Sequence, residues 1–264
     1  MSFQEQPNEG EAEPRPLKEP ALTALSLYPQ DWALFLDIDG TLLDLAERPE
    51  AIVVPDYLPG MLHALSRQLG GALALVTGRA IEFVDPLFGP FRFPVAGLHG
   101  AERRDAAGRL RRAHIPHAFQ QMKQRIQQEA AAWPGAIVED KGAAVAVHFR
   151  HAPAHEAEID ETMLRHLEEA GSDWNLQRGK MVIEICPAHA SKGHAVEAFL
   201  AEAPFEGRRP ITIGDDVTDE TMFAAANRVG GQSVRIGDTN GKTLARASIA
   251  SPARLRDVLG TLVK

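Results

Sequence analysis

Three apolar runs, Trp32-Ala33-Leu34-Phe35-Leu36, Ala72-Leu73-Ala74-Leu75-Val76 and Pro210-Ile211-Thr212-Ile213, are apolar at nearly every position instead of at alternate ones. A strand of that kind must be covered on both faces, as happens when helices pack on both sides of a parallel sheet. The chain is thereby constrained to an α/β fold with a doubly wound parallel sheet. Sheets of this type bind ligands beyond the carboxyl ends of their strands. Each run here passes into polar residues at that end: Asp37-Ile38-Asp39-Gly40-Thr41, Thr77-Gly78-Arg79, and Gly214-Asp215-Asp216-Val217-Thr218-Asp219-Glu220.

A helix is expected from about Pro59 to Leu69, stopped by Gly70-Gly71, which suit a C-terminal cap. Another helix and a short strand near Pro94-Val95-Ala96 continue the strand-helix-strand order. The pattern then changes. Glu102 to Ala113 reads as a hairpin around Gly108, followed by a helix over 116–132 and strands over Ala136–Asp140 and Ala143–Phe149. A helix over 153–170 and the hairpin Trp174–Gln177 with Met181–Cys186 repeat that sense, predicting a smaller α+β unit inserted in the middle of the chain. From Ser191 the doubly wound pattern resumes. The expected organisation is a disordered tail over 1–28, a core made of 29–108 and 188–264, and a cap over 109–187.

A net charge of −8 argues against nucleic-acid binding, which usually needs a basic stripe. The basic patches Arg103-Arg104 and Arg109 to Arg112 read as solvated surface. Cys186 is the only cysteine, which excludes an internal disulfide and a cysteine-based zinc site and fits a reducing compartment. No apolar run approaches the roughly 20 residues of a membrane span, and no signal core opens the chain. A cytoplasmic protein is expected, with no membrane partner. In the absence of a sustained heptad, it is expected to be a monomer.

Asp37 with Asp39, Thr77, Lys192, and Asp215 with Asp216 and Asp219 can meet at one sheet edge. Removing a phosphoryl group from a monoester needs a nucleophile, cations to offset anion repulsion, and a proton donor for the leaving oxygen. These clusters supply all three. Carboxylates gathered near one point repel unless a cation lies among them, and all-oxygen ligation favours Mg²⁺. Plainer readings stand beside these. Asp-Gly-Thr also makes a solvated turn, Asp219 and Glu220 also suit a helix N-terminus, and Thr77 also serves as a cap. Lys192 follows the expected cap Ser191, where the helix dipole disfavours a cation; contact with phosphate would explain that cost.

The order Asp-x-Asp-Gly-Thr, apolar strand plus Thr, Lys, then Gly-Asp-Asp-x-x-Asp-Glu resembles the haloacid dehalogenase superfamily of aspartate-based phosphatases. Within it the chain is similar to the trehalose-phosphate phosphatases, through Gly97-Leu98-His99-Gly100-Ala101-Glu102-Arg103-Arg104, Glu139-x-Lys141, His148-Phe149-Arg150 and Gly179-Lys180-Met181-Val182-Ile183-Glu184-Ile185. The resemblance covers about residues 30 to 260. It implies that Asp37 is a covalent nucleophile and Asp39 the acid and base. Thr77 and Lys192 would hold phosphate, and Mg²⁺ would bind Asp37, the main-chain carbonyl of Asp39, and Asp215, with Asp216 and Asp219 farther out. It also implies substrate contacts from Gly78, Arg79, His99, Glu139, Lys141, His148, Arg150, Lys180 and Glu184, in a cap that reads a sugar phosphate such as trehalose 6-phosphate. The core leaves sucrose 6-phosphate and hexose phosphates open as substrates, and a non-catalytic phosphosugar sensor as a rival.

Gly237-Asp238-Thr239-Asn240-Gly241-Lys242-Thr243 is one residue short of a nucleotide-binding P-loop and reads as a turn. The pairs His114 with His117 and His151 with His155 lack a third ligand and read as surface histidines.

Overall fold

The computed structural model describes residues 22–45, 52–179, 181–188, 190–237 and 243–263. The first stretch forms α1 (Ala24–Leu27), β1 (Trp32–Leu36), α2 (Leu58–Gln68), β2 (Leu73–Val76), α3 (Ile81–Val84), β3 (Val95–Gly97), β4 (Glu102–Arg104) and β5 (Leu110–Arg112). A middle stretch forms α4 (His117–Glu129), β6 (Ile137–Asp140), β7 (Val145–His148), α5 (Glu156–Ala170), β8 (Trp174–Gly179) and β9 (Val182–Pro187). The chain closes with α6 (Lys192–Leu200), β10 (Arg209–Gly214), α7 (Glu220–Arg228), β11 (Gln232–Ile236), β12 (Ala247–Ile249) and α8 (Pro252–Leu262).

Eight strands make the large sheet in the order β12-β11-β10-β1-β2-β3-β4-β5, parallel as far as β3 and antiparallel beyond it. Strand order reverses at β1, with β2 and β3 laid down on one side and β10 to β12 on the other. That reversal opens a crevice at the carboxyl ends. Leu36 is in register with both Leu75 and Ile213, so the residues following β1, β2 and β10 emerge at nearly the same level. All residues of β1 and β2 are buried, as uninterrupted apolar runs require.

The second sheet, β6-β7-β9-β8, is antiparallel throughout. Its Val145, Val147, Ile183 and Ile185 pack with Phe119, Met122 and Ile126 of α4 and Ile159 and Met163 of α5. Period-two alternation sends Glu139, Ala146, His148 and Glu184 to the opposite face. The expected doubly wound core with an inserted α+β cap is therefore present. No helix among the described residues is long and apolar enough to cross a membrane.

Three expectations need correction. Strand β5 pairs with β4 in the large sheet, so the inserted unit starts after Arg112 instead of at residue 109. Residues 22–28 of the expected tail pack against the core, since Leu22 and Leu25 are buried within it; residues 1–21 lie outside the described residues. Arg103 and Arg104 are each only 8% exposed. Arg103 pairs with Glu202 and lies over the Phe199 ring, and Arg104 holds Asp85 through two bonds of 2.8 and 2.6 Å. A charge run on an edge hairpin looks solvated in sequence, and only the carboxylates brought from distant segments permit its burial. Residues 238–242 of the turn expected over 237–243 also lie outside the described residues.

Candidate active site

Asp37 is the first residue after β1 and is buried. The Lys192 ammonium donates to Asp37 Oδ1 at 2.7 Å and to Asp219 Oδ1 at 2.6 Å. Asp219 Oδ2 accepts the backbone N–H groups of Asp215 and Asp216 at 2.9 and 3.0 Å, so both its oxygens are engaged. Thr41, buried in the turn after β1, reaches Asp37 Oδ2 at 3.1 Å and Asp215 Oδ1 at 3.2 Å. Segments 155 to 178 residues apart in the chain thus share one cluster, by the separations Asp37 to Lys192 and Asp37 to Asp215. Ser191 caps α6 by accepting from His194 N, which places Lys192 in the first turn, pointing into the cluster.

Gly40 makes the close approach possible. It sits at φ +78°, and a Cβ there would lie 2.1 Å from Asp215 Oδ2. Gly40→Ala is expected to destabilise the fold by about 1–3 kcal/mol through this overlap, beyond the cost of a left-handed alanine. Gly207→Ala is the control, at φ +75° with nothing near its Cβ. Urea midpoints of the two variants should differ, with Gly40→Ala the lower.

Burial, reinforced by Asp219 and Asp215 and opposed by Lys192, pushes the Asp37 carboxyl well above the usual carboxylate range. Burial and the Asp219 charge push Asp215 up to about 6. Burial pulls Lys192 down, but Asp219 and Asp37 outweigh it and hold the ammonium charged. One cation among three carboxylates leaves the cluster short of positive charge. Oxygens of Asp37, Asp215 and Asp219 lie within 4.8 Å of one another, an all-oxygen donor set suited to a hard divalent cation. Asp219 accepts three hydrogen bonds, one from Lys192 and two from the backbone, whereas Asp37 and Asp215 accept fewer, so they keep more lone-pair capacity to ligate.

Around this cluster, Thr77 is buried and its Oγ1 accepts the Arg79 N–H at 3.2 Å. The Arg79 guanidinium holds Asp39 in a fork, Nε to Oδ2 at 2.7 Å and Nη2 to Oδ1 at 2.8 Å. A Cβ on Gly78 would stand 2.8 Å from the His99 ring, so glycine lets that ring close over the Thr77 turn. Leu98 and His99 both have positive φ, 49° and 55°, the local strain that tightly determined sites tolerate. Burial pulls the His99 imidazole down to about 4, and its buried Nδ1 has no partner among the described residues.

On the helix-free face of the second sheet, Lys141 bonds Glu184 at 2.7 Å and lies 3.8 Å from Glu139, which pairs with His148 at 2.7 Å. These groups face the core site: the charges of Glu184 and Lys141 act on His99, and that of Arg79 acts on Glu139. Arg150 is exposed just past β7 and makes no side-chain hydrogen bond or ion pair with the described residues. Lys180 lies outside the described residues. Sequence reasoning overlooked Thr41 and the Arg79–Asp39 fork. Thr41 stands inside the Asp-Gly-Thr motif, so a hydroxyl one turn from two carboxylates was the available signal.

Residues 35–252 match the family described as Trehalose-phosphatase. The chain belongs to the trehalose-phosphatase family. A probable trehalose-phosphate phosphatase of Sinorhizobium fredii is 54% identical over 93% of each chain. The trehalose-6-phosphate phosphatase of Escherichia coli is 45% identical over 78% of this chain and 77% of its own. Among solved structures, the C-terminal domain of C. albicans trehalose-6-phosphate phosphatase superposes with a TM-score of 0.79 at 23% identity, covering 94% of this chain and 98% of that one. This last likeness concerns the fold. In this trehalose-phosphatase, Asp37, Thr41, Lys192, Asp215 and Asp219 form one connected cluster beneath the Glu139–Glu184 face.

Proposed function

We propose that the protein hydrolyses trehalose 6-phosphate to trehalose and inorganic phosphate through an aspartyl-phosphate intermediate, as a step of trehalose biosynthesis. The observation that carries this reading is a buried aspartate at the switch point of the sheet, held by a buried lysine beneath a polar face of the second sheet. A carboxylate oxygen of Asp37 attacks phosphorus, and the bond from phosphorus to the sugar oxygen breaks. Asp39 protonates that oxygen as it leaves, then removes a proton from the water that attacks the aspartyl phosphate, releasing phosphate and restoring Asp37. Arg79 holds both oxygens of Asp39 in the substrate-free state; an arriving phosphate dianion competes for that guanidinium and frees the carboxyl. Thr77, the backbone after it, and Lys192 hold the phosphate oxygens, and Asp219 fixes the Lys192 ammonium.

Mg²⁺ fits the oxygen donors of Asp37, the main-chain carbonyl of Asp39, and Asp215; when bound it would offset the negative charge of phosphate and carboxylates. Glu139, Lys141, His148, Arg150, Lys180 and Glu184 would read the sugar hydroxyls from the cap, closing the site to water.

Phosphate release should be compared for trehalose 6-phosphate, sucrose 6-phosphate and glucose 6-phosphate, with Mg²⁺ and after EDTA. We expect kcat/KM to favour trehalose 6-phosphate by about 10²-fold or more. Chelation should abolish turnover, and added Mg²⁺ should restore it. Equal rates on the three esters would remove the role assigned to the cap, and full activity in EDTA would remove the metal.

A further inference from the structure

We infer that Gln177 is a further specificity-determining residue of this site, one that hydrogen-bonds the distal sugar ring; this inference rests on the reading of the substrate as a disaccharide phosphate. Its place follows from strand register. Glu139 is opposite Ala146, Ala146 is opposite Glu184, and Glu184 is opposite Gln177, so these four residues form one row across β6, β7, β9 and β8. Directly opposed residues in antiparallel strands share a face. Gln177 therefore lies on the face that carries the Lys141–Glu184 and His148–Glu139 pairs, not on the helix-covered face that buries Trp174 and packs Leu176.

The row sets polar groups on either side of a small residue: its second position is Ala146, buried between two carboxylates. At the usual strand spacing, four positions span about 14 Å, long enough for more than one pyranose ring. Hydrogen bonding is incomplete in the half nearest Gln177. Glu184 accepts from Lys141 at Oε2, while its Oε1 is buried with no partner among the described residues. The half-buried Gln177 amide makes no side-chain hydrogen bond with the described residues. A buried acceptor without a donor invites a ligand hydroxyl. A hydroxyl donating to Glu184 Oε1 still has lone pairs to accept from the Gln177 amide, whose own oxygen is free for a neighbouring hydroxyl. This pairing of an acceptor with a donor-acceptor suits vicinal hydroxyls and has no use for a phosphate.

The test compares wild type with Gln177→Ala and Gln177→Glu on trehalose 6-phosphate and on p-nitrophenyl phosphate, which has no sugar. Gln177→Ala should raise KM for trehalose 6-phosphate about 10-fold with kcat little changed. Gln177→Glu should raise it at least as far, because it sets a like charge opposite Glu184. Turnover of p-nitrophenyl phosphate should stay within about twofold of wild type in both variants. An unchanged KM for the sugar ester, or a parallel loss on both substrates, would overturn the assignment. The underlying reading fails separately: wild type would then turn over p-nitrophenyl phosphate but not trehalose 6-phosphate. In that case the same comparison is made with the sugar phosphate the enzyme prefers, and the same two outcomes decide.

Discussion

Asp37→Asn is expected to lower kcat on trehalose 6-phosphate by at least about 10⁴-fold while the protein remains folded. The amide keeps the size and shape of the carboxylate but removes the attacking charge. Folding should survive because Lys192 keeps its bond to Asp219, and the amide oxygen can still accept from Lys192. A second expectation separates lost chemistry from lost structure. The Asp37 carboxyl is pushed up by burial, then by Asp219 and Asp215, so in the metal-free wild type its charged form costs stability as pH rises through that elevated value. Asparagine does not titrate. The metal-free variant should therefore lose less stability than wild type between pH 5 and 8, read from urea midpoints. Denatured quenching of the wild-type reaction should trap phosphate on the protein, and the variant should trap none. Residual turnover within about 10²-fold of wild type would place the nucleophile elsewhere.

The continuous apolar runs made the core legible, because only a sheet covered on both faces buries Trp32 to Leu36 without a polar position. Placing polar clusters at the carboxyl ends of those strands was enough to bring Asp37, Thr77 and Asp215 together, since topology and register do the rest. The same reasoning places Glu139, His148 and Glu184 on one face by alternation. What it could not supply were contacts between distant segments. The burial of Arg103 and Arg104 depends on Glu202 and Asp85, and nothing local announces those partners. Arg79 enters the sequence reading as a substrate contact, and its fork on Asp39 becomes visible only in the distances. The three hydrogen bonds that Asp219 accepts are a fact of geometry that helix-dipole reasoning does not reach. Arg150 stands past the end of β7 at His148, so alternation along that strand does not place it.

Lys192→Met should be the most damaging single change to stability within this cluster, by about 3–5 kcal/mol at pH 8 without divalent cation. Methionine fills similar space, so the loss is that of charge. Lys192 is the cation bonded to both Asp37 and Asp219, at 2.7 and 2.6 Å, and all three side chains are at most 5% exposed. Without it, two buried carboxylates face each other and Asp215 with hydrogen bonds but no cation between them. Acid should relieve the defect. In the variant these carboxyls have still higher proton affinity when folded than when unfolded, so folding takes up protons and stability rises as pH falls. The deficit relative to wild type should shrink between pH 8 and 5, and Mg²⁺ should also shrink it by supplying charge at Asp37 and Asp215. Activity should not return with stability: at saturating Mg²⁺ and neutral pH, kcat should stay at least about 10³-fold below wild type, because the phosphate has lost a fixed cation. A deficit that is the same at every pH and indifferent to Mg²⁺ would mean that Lys192 contributes packing alone, and the electrostatic account of the site would have to be abandoned.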